Sequence, residues 1–129
     1  MTRLWILFGA ILGGLAVAAG SFGAHGLKQV LEATGRADNW ETAVRYAFYH
    51  AAALLVVGLA ASLPQALGVR GLLNAAGWSF LTGTLIFSGC LAALALSGVR
   101  VLGAIVPIGG VLFLVGWALL ALAAARMAD

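Results

Sequence analysis

Charge is what this chain has least of. Seven Lys/Arg and four Asp/Glu in 129 residues make it 9% charged, where an ordinary soluble domain carries about a quarter. That density cannot clothe a water-facing surface, and the composition is that of a chain dissolved in lipid. The basic residues stand singly, at Arg3, Lys28, Arg36, Arg45, Arg70, Arg100 and Arg126. No cluster exists to follow a phosphate backbone, so the net charge of +3 does not point to a nucleic-acid partner. Cysteine is nearly missing too. The lone Cys90 has no internal disulfide partner and no metal-type spacing, and reads as a small helix-packing residue.

What is present is apolar: 64% of the residues, gathered into runs over 4–24, 43–63, 72–97 and 101–125, each bounded by a charge or by Gly/Pro. A spanning helix needs roughly 20 apolar residues, and backbone polar groups in lipid must be satisfied within the segment. The predicted fold is therefore an all-α integral membrane protein, one domain over 1–129, with four transmembrane helices in an up-down bundle. Met1 to Ala19 also has the form of a secretory signal, with a basic start, an apolar core and small residues. The apolar run continues to Ala24, long enough to cross, and it is read as an uncleaved first span.

The second and third connections, residues 65–71 and 98–100, are short and make their spans antiparallel neighbours. The first is longer. Leu27, Val30, Leu31 and Thr34 recur at helical spacing, Lys28 and Glu32 fall on another side, and Gly35 supplies a stop. This predicts a short amphipathic helix over 26–35 lying in the interface plane, apolar face down. Asp38 and Glu41 have capping-box spacing at the start of the next helix, and Trp40 sits where an aromatic anchors a span. With four spans both termini share a side. Its positive residues are Arg3, Arg70 and Arg126, against Lys28, Arg36, Arg45 and Arg100 opposite, close to even; Arg3 ahead of the first span places the termini in the cytoplasm.

Lipid tails remove the hydrophobic drive between helices, so small residues that let backbones approach take over. Candidates are Gly9 with Gly13 in the first span, Gly83 and Ser88 in the third, and Gly109 and Gly110 in the fourth, just after Pro107. Pro107 deletes a helix hydrogen bond and predicts a bend there. These faces pack the chain's own bundle; the first span, small on more than one face, also offers a surface to another subunit.

Polar residues within the spans are few. Glu41, Arg45 and Tyr49 follow one another at four-residue spacing and share a face, with Glu before Arg, the favourable order for a helical ion pair. Tyr46 and His50 form a second such pair on an adjoining face. His25 ends the first span among Gly23, Ala24 and Gly26, on the same membrane side as the start of the second. His25, Glu41, Arg45, Tyr49 and His50 thus make the one candidate polar site, where intramembrane ionisable groups mark function by default. Each also has a structural reading. Glu41 and Arg45 lie where long side chains snorkel, His50 can hydrogen-bond Ser88 or a carbonyl of the fourth span, and His25 can cap a helix end. Two histidines are too few for a zinc site, which takes three or four ligands, so no metal and no cofactor are expected. Ser21 and Ser88 lack the surroundings of a nucleophile.

Four stretches resemble a known family. They are Ser21-Phe22-Gly23-Ala24-His25-Gly26-Leu27; Trp40 to Tyr46 continuing to Tyr49-His50; Phe87-Ser88-Gly89 with Leu96-Ser97-Gly98; and Pro107-Ile108-Gly109-Gly110 continuing to Phe113 and Gly116-Trp117. In this order they resemble the small YgdD-type inner-membrane proteins, which have bacterial members and eukaryotic transmembrane relatives. The resemblance implies a four-helix integral membrane protein of the bacterial inner-membrane kind, and no established reaction. Ala47, Ala92 and Val106 depart from it, standing where the pattern leads one to expect a polar amide, a tyrosine and a threonine; each departure removes hydrogen-bonding capacity while leaving His25, Arg45 and His50.

Three functions follow in order of support. The first is a structural or accessory membrane protein that binds membrane lipids or pairs with another membrane subunit or with itself. The second is an oligomeric transporter or channel for a small solute, ion or proton, lined by His50, Tyr49 and the bent fourth helix. An enzyme using the two histidines comes last.

Overall fold

The computed structural model describes residues 1–127. It is a bundle of four long helices: α1 (Thr2–Ala24), α3 (Ala37–Ser62), α4 (Arg70–Ser97) and α5 (Val101–Arg126), with the short α2 (Lys28–Ala33) between α1 and α3. All four long helices are long and apolar enough to cross a membrane. A 3-10 segment, Pro64–Val69, links α3 to α4 with proline at its first position, where the missing N–H costs nothing. Its Ala66 and Val69 are buried and close the end of the bundle that carries the chain terminus Met1.

The connection from α2 to α3 is set by one glycine. Gly35 has φ 66, the left-handed region that only glycine enters without strain. The amide of Arg36 donates to the Leu31 carbonyl at 2.9 Å and that of Gly35 to the Glu32 carbonyl at 3.1 Å, the paired closure of a Schellman motif. The chain reverses so tightly that α3 starts at Ala37 with Arg36 as its N-cap residue and no side-chain cap bond. The expected Asp38–Glu41 capping box is therefore absent, because Asp38 already lies inside the first turn. In α2 only Leu31 is buried, while Val30 is exposed, so the apolar side is narrower within the protein than its periodicity implies.

Successive long helices run antiparallel. Gly9 lies against Ala51 and Gly58 against Ile6 across α1 and α3, and Gly83 against Gly109 across α4 and α5. The inner pair is α3 and α4. On one side α1 packs along α3 and reaches α4 through Trp5, whose indole N–H donates to Asn74 Oδ1 at 2.9 Å. On the other, α5 packs along α4 and reaches α3 through Phe113 and Trp117. The buried core, with Trp5, Leu54, Val57, Leu73 and Phe80 at its centre, fills the half of the bundle nearer Met1. The other half is looser, and a groove of about 210 Å³ separates α1 from α4 there, lined by Leu12, Ala16, Trp40, Ala47, Ser88 and Ala92 among others.

The close approaches have a common form: a bulky knob on one helix sits on a glycine of the next. Trp5 covers Gly77, Phe80 covers Gly116, Phe113 covers Gly83 and Trp40 covers Gly23. At Gly109 the backbones themselves touch. A Cβ there would lie 2.6 Å from the amide nitrogen of Phe87 and 2.8 Å from the carbonyl oxygen of Gly83, which no side-chain adjustment relieves. Gly14 has nothing within 4 Å. Gly109→Ala is expected to cost about 1–3 kcal/mol through forced separation of α4 and α5, and Gly14→Ala to stay within about 0.5 kcal/mol of the parent; thermal unfolding in one detergent, run on both variants, checks the contrast.

Candidate functional site

The five predicted polar residues do not form one site. His25 follows the end of α1, exposed, in a shallow recess with Ser21, Phe22 and Gly26. Its amide continues the helix by donating to the carbonyls of Ser21 and Phe22, and no side-chain hydrogen bond joins it to Glu41 or Arg45 among the described residues. Glu41, Arg45 and Tyr49 do share a face of α3, but it points away from α4, out of the bundle. Arg45 Nη2 donates to Glu41 Oε1 at 2.8 Å with both side chains half exposed or more. Arg45 thus reaches one turn back toward the membrane surface, as a snorkelling arginine does.

His50 alone is inside. It is 4% exposed and lies 13 residues into α3, about 20 Å along a helix rising 1.5 Å per residue, which puts it near the middle of the bilayer. Its surroundings are aromatic. The Phe113 ring stacks on the imidazole with centroids 3.5 Å apart and planes 4° from parallel. Phe80 and Tyr46 flank it with centroids at 5.6 Å and 6.1 Å. Both ring nitrogens are engaged. Nδ1 is 2.8 Å from the carbonyl oxygen of Tyr46, and Nε2 is 3.2 Å from the indole Nε1 of Trp117. An indole N–H only donates and a carbonyl only accepts. Nε2 must therefore be bare and Nδ1 must carry the proton, which fixes a neutral imidazole in one tautomer.

The partners of His50 are thus its own helix and the indole of α5. Ser88, expected as a partner, is turned the other way: its Oγ is buried without a hydrogen-bond partner, and the residue lines the α1–α4 groove. Trp117 was legible only as part of a family stretch, because no periodicity marks an indole as a hydrogen-bond donor across helices. Beside His50 a groove of about 600 Å³ opens between α3 and α5, lined by Tyr46, Tyr49, Phe87, Pro107, Phe113 and Trp117 among others. Pro107 is exposed within a helix that is continuous from Val101 to Arg126, and it leaves the Gly103 carbonyl without its usual amide partner.

Arg36 was missed as a structural residue. Its guanidinium lies on Gly98, the C-cap of α4, at φ 73. A cation there complements the carbonyl end of the helix, and glycine is what leaves the space. Among the described residues no three His, Cys, Asp or Glu side chains come together as a metal site would require.

Removing the indole donor strands Nε2 in an apolar site, a loss of about 1–3 kcal/mol. Trp117→Phe is therefore expected to lower thermal stability by that amount while keeping the aromatic packing. The ¹⁵N spectrum of the parent is expected to show His50 protonated on Nδ1 and bare on Nε2; the reverse tautomer would contradict this geometry.

The family described as "Protein of unknown function (DUF423)" matches residues 19–110. A UPF0382 membrane protein of Staphylococcus epidermidis (strain ATCC 12228) is 43% identical over 127 residues, covering 98% of each chain. The UPF0382 membrane protein YwdK of Bacillus subtilis (strain 168) is 40% identical over 124 residues, 96% of this chain and 98% of the relative. UPF0382 membrane protein SSP2132 of Staphylococcus saprophyticus is 42% identical over 119 residues, 92% of this chain and 93% of the relative. No solved structure matches. Four helices long and apolar enough to cross a membrane, with 40% and 43% identity to named membrane proteins over almost the whole chain, make this chain an integral membrane protein of the DUF423 family, whose activity is unknown.

Proposed function

We propose that this is a structural or accessory protein of the bacterial inner membrane, of the YgdD type, that works by holding lipid or another membrane subunit against its outer faces and has no turnover of its own. The observation that carries the reading is the state of His50. Among the described residues it is the ionisable group set deepest in the bundle, and both its nitrogens are already spent on Tyr46 and Trp117. A relay or ligand-binding histidine needs a nitrogen free to take a partner; this one acts as a cross-link between α3 and α5. The outer surface supports the reading as well. The groove between α1 and α4 and the one beside His50 open laterally and are lined almost wholly by apolar groups, which suits chains of lipid or the side chains of a neighbouring helix. Arg3 ahead of α1 favours termini in the cytoplasm.

The competing reading, a transport path beside His50, Tyr49 and α5, draws on the groove near Pro107. Flux separates the two. Proteoliposomes are expected to leak protons, potassium and small solutes no faster than protein-free vesicles, and His50→Ala is expected to lower thermal stability without changing that leak. A specific flux lost in His50→Ala would replace the accessory reading with transport.

A further inference from the structure

We infer that the groove between α1 and α4 holds one acyl chain of an anionic phospholipid whose phosphate sits on Arg36. The inference rests on the accessory reading and names the ligand that one of its grooves takes. Arg36, Trp40, Ala43 and Ala47 follow one another at spacings of four, three and four, so they form one stripe along α3. The last three line the groove. Arg36, the N-cap residue of α3, therefore stands one turn above its upper end. The Arg36 guanidinium lies on Gly98, the C-cap of α4, so the cation sits where both helices end at the membrane surface. Below it the walls are small. Ala16 on α1, Ala43 and Ala47 on α3 and Ala92 on α4 leave a recess among the three helices.

The charge selects the headgroup. The ion pairs among the described residues are Lys28 with Glu32 and Arg45 with Glu41, and neither includes Arg36. Its Nε is buried without a hydrogen-bond partner. The carbonyl end of α4 supplies only about half an elementary charge, which leaves the guanidinium in excess. Asp38 and Glu41, two and five positions on, fall roughly 140–160° around α3 from Arg36 and do not answer it. A cation above an apolar groove is complementary to an anion that carries a hydrocarbon chain, and a guanidinium matches phosphate oxygens in particular. The dimensions select a chain over a helix. From Ala92 to Leu85, both lining the groove, α4 rises about 10 Å. A volume of about 210 Å³ spread over that length is only about 4.5 Å across, whereas a helix with its side chains measures about 10–12 Å.

The test uses the full-length chain, stripped of lipid in a mild detergent. It is titrated with phosphatidylglycerol or phosphatidylethanolamine of identical chains, and bound lipid is read by native mass spectrometry. One phosphatidylglycerol is expected to bind about tenfold more tightly than phosphatidylethanolamine, the scale of a charge-assisted hydrogen bond. Arg36→Gln is expected to erase that preference. Arg100→Gln removes the same charge on the same membrane side and is expected to keep it. Ala92→Phe fills the groove, leaves Arg36 in place and is expected to weaken both lipids about tenfold with helix content unchanged by circular dichroism. Whichever of Arg36→Gln and Ala92→Phe folds decides the matter. Equal affinity for the two lipids overturns the site, as does a preference that survives Arg36→Gln or falls equally in Arg100→Gln. So does lipid binding indifferent to Ala92→Phe, or displacement of the lipid by millimolar inorganic phosphate. None of these results bears on the accessory reading, which stands or falls on the flux result.

Discussion

Everything in this bundle depends on how closely two backbones can approach in a solvent that does not push them together. In water, burying Phe113 or Trp5 would itself drive association. In lipid it does not, because a tail is as apolar as another helix, and only contact density and internal polar bonds distinguish the folded arrangement. The chain meets this constraint by setting aromatic knobs on glycines: Trp5 on Gly77, Phe80 on Gly116, Phe113 on Gly83. A flat ring against bare backbone gains many close atom pairs at little cost in side-chain entropy. The hydrogen bonds from Trp5 to Asn74 and from Trp117 to His50 give the same knobs a direction.

The four spans were legible in the sequence because their cause is one-dimensional. Length, apolarity and the requirement for internal backbone bonding settle them without any knowledge of neighbours. The turn at Gly35 was legible for a similar reason, since a left-handed position nearly dictates glycine. The candidate site was less legible. His50 was visible as a polar residue at depth, and its pairing with Tyr46 followed from helical spacing. Its other partner lies 67 positions away, and which residue of α5 meets it depends on the rotation of that helix. Apolar periodicity cannot fix that rotation when α5 is apolar all round.

The same blindness explains the expected meeting of His25 with the Glu41–Arg45–Tyr49 face. Sharing a membrane side brings residues to one level but says nothing about azimuth. On α3, Trp40, Ala43 and Ala47 line the α1–α4 groove, which turns Arg45 and Tyr49 outward. His25 lies beyond the end of α1, past the point where Trp40 seats on Gly23. The Trp40 indole, in the first turn of α3, donates to the Ala19 carbonyl at 3.0 Å, so it also joins α1 to α3.

The uneven filling of the bundle has a mechanical meaning. Toward Met1 the helices are locked through Trp5, Leu54, Leu73 and Phe80; toward Gly35 and Gly98 grooves open between them, with α1 tied to α3 at Trp40 and α5 to α4 at Gly109. A change in bilayer thickness or lateral pressure acts on both leaflets, and the grooves beside Trp40 and His50 lie in one half of the bundle. Stiffness therefore falls along the membrane normal, from the packed end toward the grooved one.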